Sequence, residues 1–151
     1  MKKIQSVKGM HDILPDTASK LRVLENLLIN TSESFGYNEI RTPILENTDL
    51  FAKSIGDGTD IVEKEMYTLS DSKDRLISMR PEGTASCVRA VVENGLQDSI
   101  NRFWYTGPFF RHERPQKGRY RQFHQFGVEL FGIPSSEADF EVLNIIVSIF
   151  K

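Results

Sequence analysis

One cysteine, one tryptophan and three histidines among 151 residues leave little material for several kinds of chemistry. A single Cys87 cannot form an internal disulfide, which agrees with a reducing compartment. Set in TASCVRAVV, it reads as an inert thiol on an apolar helix face rather than a nucleophile. His11, His112 and His124 are too scattered for a zinc signature, so no metal ligand is assigned among the protein side chains. No apolar run is long enough to cross a bilayer, and MKKIQSVKGMHD has lysines with no apolar stretch behind them. Neither a membrane span nor a signal peptide is expected, and the expected setting is cytoplasmic. An excess of one charge is missing too. The 19 basic and 21 acidic residues give a formal net charge of -2, which argues against a surface that grips nucleic acid everywhere. What is present, 39% hydrophobic and 26% charged residues, is the composition of one globular domain.

Along the chain, Asp16 is placed to cap a helix reaching Phe35. Leu21, Leu24, Leu28, Thr31 and Phe35 recur on one face, and Gly36 follows as a stop. YNEIRTPILE, residues 37–46, reads as a strand in which Pro43 removes a ladder donor, suggesting a sheet edge or an interface. LFAKSIGDGTDIVEKE reads as a loop around Gly56 and Gly58, with no strand-to-helix context to make GDG a phosphate loop. MYTLSD and RLISM are two strands joined by the polar turn SDSKD. RPEGT, residues 80–84, then ends the strand, and Thr84 is placed to cap a helix running to Gly95. The aromatic runs 103–113 and 119–132 flank the turn-prone RPQKG as a long hairpin. Ser136 is placed for a capping box with Asp139 on a last helix whose Ile145, Ile146, Val147, Ile149 and Phe150 make it apolar nearly all round. A helix of that kind is normally buried, and the chain is expected to be the amino-terminal piece of a longer domain.

The hairpin concentrates the chemistry. Alternate residues of a strand share a face, so Arg121, Phe123, Gln125, Gly127 and Glu129 lie together, as do Tyr105, Gly107, Phe109, Arg111 and Glu113. Gly127 leaves space between a cation, an aromatic ring, an amide and a carboxylate, an arrangement that calls for something polar to fill it. A solvated hairpin with weakly paired charges is the plain alternative. Two features favour a site. The planar guanidinium of Arg111 suits phosphate oxygens, with mobile positive charge from Arg114 to Arg119 alongside, and Phe123 offers a ring on which a base can stack. Glu82 reads either as a ligand-binding carboxylate or as one favoured by the start of a helix. Glu129 reads either as a recognition group or as the partner of a nearby arginine.

RPEGTASCVRA followed by WYTGPFFRHERPQKGRYRQFHQFGVELFG closely resembles the histidyl-tRNA synthetase family of class II aminoacyl-tRNA synthetases. The resemblance runs from KGMHDILP onward: FGYNEIRTPILE looks like the family's first motif and the hairpin like its second. It implies an α+β fold, an antiparallel β-sheet flanked by helices. Residues 1–151 would form part of the catalytic domain, without the third motif and the anticodon-binding domain. It also implies a histidine-tRNA ligase that uses ATP with Mg2+ to make histidyl-adenylate and passes the histidyl group to histidine tRNA. Arg111 would hold the α-phosphate and the histidine carboxylate, and Glu113 would accept from the adenine amino group. Phe123 would stack on adenine, and Arg119 and Arg121 would join the ATP contacts. Glu82, Thr84 and Gln125 would bind the substrate ammonium, and Glu129 the imidazole. Pro43 would lie near a homodimer interface. This chain alone is expected not to form adenylate. The alternative is a non-catalytic histidine sensor resembling the regulatory subunit of ATP phosphoribosyltransferase.

Overall fold

The computed structural model describes residues 3–56, 58–114 and 116–151, so the readings of Asp57 in GDG and of Pro115 in the turn lie outside the described residues. The chain forms two compact units: Met1–Leu14, Pro43–Ser86 and Gly107–Gln125 in the first, Pro15–Thr42, Cys87–Thr106 and Phe126–Lys151 in the second.

The second unit begins with α1 (Pro15–Ser34). Pro15, not Asp16, opens the helix; its fixed φ suits a first helical position, and Asp16 inside the first turn accepts from Lys20 Nζ at 2.8 Å. The stop is the expected one. Gly36 adopts φ 83°, with the Gly36 N–H donating to the Glu33 carbonyl and the Tyr37 N–H to the Ser32 carbonyl, so the last helical carbonyls find donors. The span 37–46 is not one strand. It divides into β1 (Asn38–Glu39) and β2 (Leu45–Asn47), which belong to different sheets. Exposed Pro43 stands between them, where its missing N–H interrupts no ladder.

In the same unit β1 pairs in parallel with β5 (Asn101–Phe110), opposing Asn38 to Phe103 and Glu39 to Trp104. The sheet order is β1-β5-β6, with β6 spanning Gln122–Phe131. Tyr37, Trp104 and Ile145 form the buried centre, and Ile29, Phe35, Phe126 and Val128 pack around it. Trp104 and Phe126 stack at 6.1 Å, which confirms the period-two sorting of the second hairpin face. Ile145 comes from α4 (Glu137–Ile149). The expected capping box is not formed: Ser136 has helical dihedrals and no side-chain capping bond, because the turn begins one residue earlier, with the Ala138 N–H donating to the Ser135 carbonyl. Of the apolar residues at this end of the chain, Ile145 on α4 is buried, while Phe140 on α4 and Phe150 just past it are 68% and 84% exposed.

A bidentate pair ties α4 to β5: Arg102 Nε and a terminal nitrogen reach the Glu141 carboxylate at 2.7 and 2.9 Å. The bonds from Arg102 hold the Glu141 carboxyl below its usual range against the opposing effect of burial. A depressed carboxylate stabilises the fold above its ordinary range, and that contribution is lost as pH falls through the lowered value. Glu141→Gln is therefore expected to lower stability near neutrality by up to about 1 kcal/mol. In urea melts the gap from wild type should close at acidic pH; a gap constant from neutral to strongly acidic pH would contradict the pair's role.

In the first unit, β4 (Leu76–Met79) lies between β2 and β3 (Thr68–Ser70), antiparallel to both, with Glu46 and Thr68 each opposite Ser78. The polar turn joins β3 and β4 as expected, and the Asp71 carboxylate accepts the N–H groups of Lys73 and Arg75. The stretch read as loop is mostly helical. Thr48–Ile55 is α2, buried through Phe51, and Ile61–Glu65 forms a single π-helical turn. The glycines mark a break between two helical pieces: Gly56 has φ 104° and its N–H ends α2 on the Ala52 carbonyl.

Candidate functional site

The site lies in the first unit. β4 ends at Met79, and Arg80 to Gly83 lead into α3 (Thr84–Glu93). Thr84 is the first helical residue rather than its cap. The cap is Glu82, whose carboxylate accepts the N–H of Thr84 at 2.6 Å and of Ala85 at 3.0 Å, satisfying donors that have no partner within the helix. This is the helix-start reading of Glu82. A carboxylate has acceptor capacity beyond two bonds, so the same group remains able to receive an ammonium. Cys87 is fully buried on α3, as its apolar setting predicts.

Arg111 follows the last residue of β5, and its backbone N–H donates to the Arg121 carbonyl at 2.9 Å, closing the base of the hairpin loop. Its Nε donates to the Pro81 carbonyl at 2.9 Å, which brings the hairpin and the RPEGT segment together. The same guanidinium stands 5.3 Å from the centre of the Phe123 ring. Glu113, its side chain only 11% exposed, lies between two arginines: Arg119 Nε at 3.0 Å and an Arg111 terminal nitrogen at 4.0 Å. Arg119 was expected as mobile charge. It is paired instead, and the turn that carries it is tight, with Gln116 and Arg119 bonded backbone to backbone and Gly118 at φ 82°.

Arg111, Glu113, Arg119, Tyr120, Phe123 and His124 line, with Gly118, a cavity of about 320 Å³. Two arginines against one carboxylate leave it electropositive, and Phe123 supplies an aromatic wall, so it suits an anion attached to a flat ring. Arg121, also expected at the phosphates, does not line this cavity among the described residues and is held by backbone bonds. Its N–H donates to the Gly9 carbonyl at 2.7 Å and its Nε to the Glu113 carbonyl at 3.1 Å. A Cβ on Gly9 would lie 2.8 Å from Arg121 Cγ, and Gly9 has φ 83°, so the amino-terminal arm can approach the loop only with glycine there.

Sequence reasoning missed His124 and Tyr120. Period-two sorting set His124 on the opposite face, but the cavity opens at the start of β6, where side chains from either face can reach its rim. Tyr120 carried no period at all, since it lies in the loop, where its ring meets His11 edge-on at 4.8 Å. Of the residues expected to contact histidine, Glu82, Thr84, Arg111 and Gln125 fall in the first unit and Glu129 in the second. Within the second unit the space above Gly127 is not open. A Cβ there would lie 2.3 Å from Tyr105 Cζ and 2.4 Å from its hydroxyl oxygen, so a buried phenol occupies it.

Two three-stranded sheets and the helices between their strands make an α+β fold in which Arg111, just past β5, and Phe123 on β6 line one cavity. The family model of histidyl-tRNA synthetase matches residues 9–151, and the chain belongs to that family. It is similar to the apo histidyl-tRNA synthetase of S. aureus, with 40% identity and a TM-score of 0.82 over 98% of this chain and 34% of that one. A Bacillus halodurans protein described as an ATP phosphoribosyltransferase regulatory subunit/histidyl-tRNA synthetase matches with 25% identity and a TM-score of 0.81, over 96% of this chain and 37% of that one. A histidine–tRNA ligase subunit from Alicyclobacillus acidocaldarius, at 23% identity and a TM-score of 0.82, shares the fold over 99% of this chain and 42% of its own. The chain thus spans about a third of the length of the S. aureus protein.

Proposed function

We propose that this chain carries the ATP-binding half of a histidine-activating site in a class II, cytoplasmic, homodimeric histidine-tRNA ligase. The observation that carries the proposal is Arg111, whose guanidinium is held by the Pro81 carbonyl and placed 5.3 Å from the Phe123 ring, so that a fixed cation and a stacking surface share one cavity. In the reaction a histidine carboxylate oxygen attacks the α-phosphorus of ATP, the bond to the bridging oxygen breaks, and pyrophosphate leaves. Negative charge builds on phosphate oxygens, so the protein's share is alignment and fixed positive charge rather than a nucleophile. Arg111 supplies the charge, Phe123 stacks the adenine, Glu113 accepts from the adenine amino group, and Arg119 swings from Glu113 toward the phosphates. Glu82, Thr84 and Gln125 take the substrate ammonium. The histidyl group then passes to the terminal adenosine of histidine tRNA, and Pro43, exposed between β1 and β2, lies toward the second protomer.

Magnesium is expected to arrive with the ATP. Its charge would offset that of the phosphates, which would supply part of its coordination. At about a third of the length of the S. aureus relative, this chain by itself is expected to bind ATP without completing adenylation. The likeness to the Bacillus halodurans protein keeps a second reading, a histidine sensor without ATP chemistry. ATP titrated calorimetrically into the chain tests the two: binding should saturate, and Phe123→Ala should weaken it about tenfold, as expected for loss of one base-stacking surface. An unchanged affinity in the variant would remove Phe123 from the site.

A further inference from the structure

Behind the cavity stands a residue that the proposed chemistry does not use. Arg80 is only 6% exposed, a costly place for a cation unless its donors and charge are met. They are met in part by the backbone and in part by a ring. Arg80 Nε donates to the Pro108 carbonyl at 3.1 Å, and the guanidinium carbon stands 4.4 Å from the centre of the Phe109 ring. Phe109, fully buried, lies 6.2 Å from Phe123 at a tilt of 30°, and Phe123 in turn carries Arg111. Cation, ring, ring and cation therefore follow one another from the interior to the cavity. Gly107 makes room at the inner end, since a Cβ there would lie 2.7 Å from an Arg80 terminal nitrogen. The backbone fixes the base of the same side chain: the Arg80 N–H donates to the Ile44 carbonyl at 2.9 Å, and its carbonyl accepts the Phe110 N–H at 3.1 Å.

We propose that Arg80 is a positioning residue for adenine recognition: by holding the face of Phe109 it sets the angle at which Phe123 meets the base. The inference rests on the reading of the cavity as a nucleotide site. A planar guanidinium stacks on a ring while bonding a carbonyl in its own plane, which an ammonium cannot do. Arg80→Met keeps the length and loses the cation; Arg80→Lys keeps the charge and loses the plane.

The test compares ATP with inorganic tripolyphosphate, which lacks the base, and adds a ligand-free measurement of Phe123 ring order by aromatic carbon relaxation. In both variants ATP affinity should fall about tenfold, the loss of a stacking contact, while tripolyphosphate affinity stays within about twofold of wild type. Phe123 should show increased ring motion. Equal losses for both ligands would reduce Arg80 to a structural role and overturn the proposal, as would unchanged ATP affinity with an unchanged ring. If Arg80→Met does not fold, Arg80→Lys decides between the same outcomes. Wild-type chain that fails to bind ATP would sink the nucleotide reading itself, and the ring measurement, made without ligand, then judges the hold of Arg80 on Phe123 alone.

Discussion

Arg111→Ala is expected to lower histidine-dependent pyrophosphate exchange by about 10²–10³ in any form of this protein that supports it, the usual cost of removing one preorganised charge from a developing oxyanion. The effect is large because the guanidinium is already in place. Its Nε is committed to the Pro81 carbonyl at 2.9 Å and its backbone N–H to the Arg121 carbonyl at 2.9 Å, so little ordering remains to be done when ATP binds. Removal also leaves Glu113, 11% exposed, with Arg119 as its remaining arginine partner of the two, which should turn the cavity from electropositive to neutral. Arg111→Lys should recover little, since a point charge cannot bond the Pro81 carbonyl and lie over Phe123 together. Pre-steady-state formation of adenylate separates the two contributions: the rate of the chemical step should fall more than ATP affinity. A variant that loses affinity alone would make Arg111 a binding group only.

The largest effect on stability is expected from Gly127→Ala. A Cβ there would sit 2.3 Å from Tyr105 Cζ, 2.4 Å from its hydroxyl oxygen and 2.8 Å from Cε1, far inside van der Waals contact. Tyr105 is 5% exposed and its ring is rigid, so it can yield only by displacing β5 from β6 or by leaving its rotamer. Overpacking of this kind costs about 1–3 kcal/mol. Gly58→Ala, where a Cβ meets nothing within 4 Å, is the matched control and should be close to neutral in thermal melts. Tyr105→Leu introduced with Gly127→Ala should restore part of the loss. A Gly127→Ala melt coinciding with the control would show that the hairpin opens here at little cost.

These two residues also show what was legible in the sequence. Gly127 could be assigned to one face of its strand because a strand has a period of two, Arg111 lies just past the end of β5 beyond that rule's reach, and the pairing of Phe109 with Phe123 and of Trp104 with Phe126 follows the sorting. The end of α1 was legible for a similar reason: Gly36 at φ 83° is a local requirement written in a single residue. What fills the space beside Gly127 was not legible, since an open cavity and a buried Tyr105 leave the same glycine in the sequence. The cap of α3 was misplaced by two residues because Thr84 is the commoner cap type, while Glu82 reaches the same donors with a longer side chain. The bonds from Arg111 to Pro81 and from Arg121 to Gly9 join segments far apart in the chain, and no periodicity records such meetings. The break at Pro43 was half legible: the missing donor was seen, but that it separates two sheets depends on which strands β1 and β2 pair with.

The central claim is that the cavity beside Phe123 takes ATP. Nuclear magnetic resonance of the chain labelled at arginine side chains and phenylalanine rings, titrated separately with ATP and with histidine, tests it directly. ATP alone should move the Arg111 guanidinium and Phe123 ring signals together along one saturable curve. A histidine titration that shifts the chain's signals, beside an ATP titration that leaves Arg111 and Phe123 untouched, would contradict the account and favour a histidine sensor.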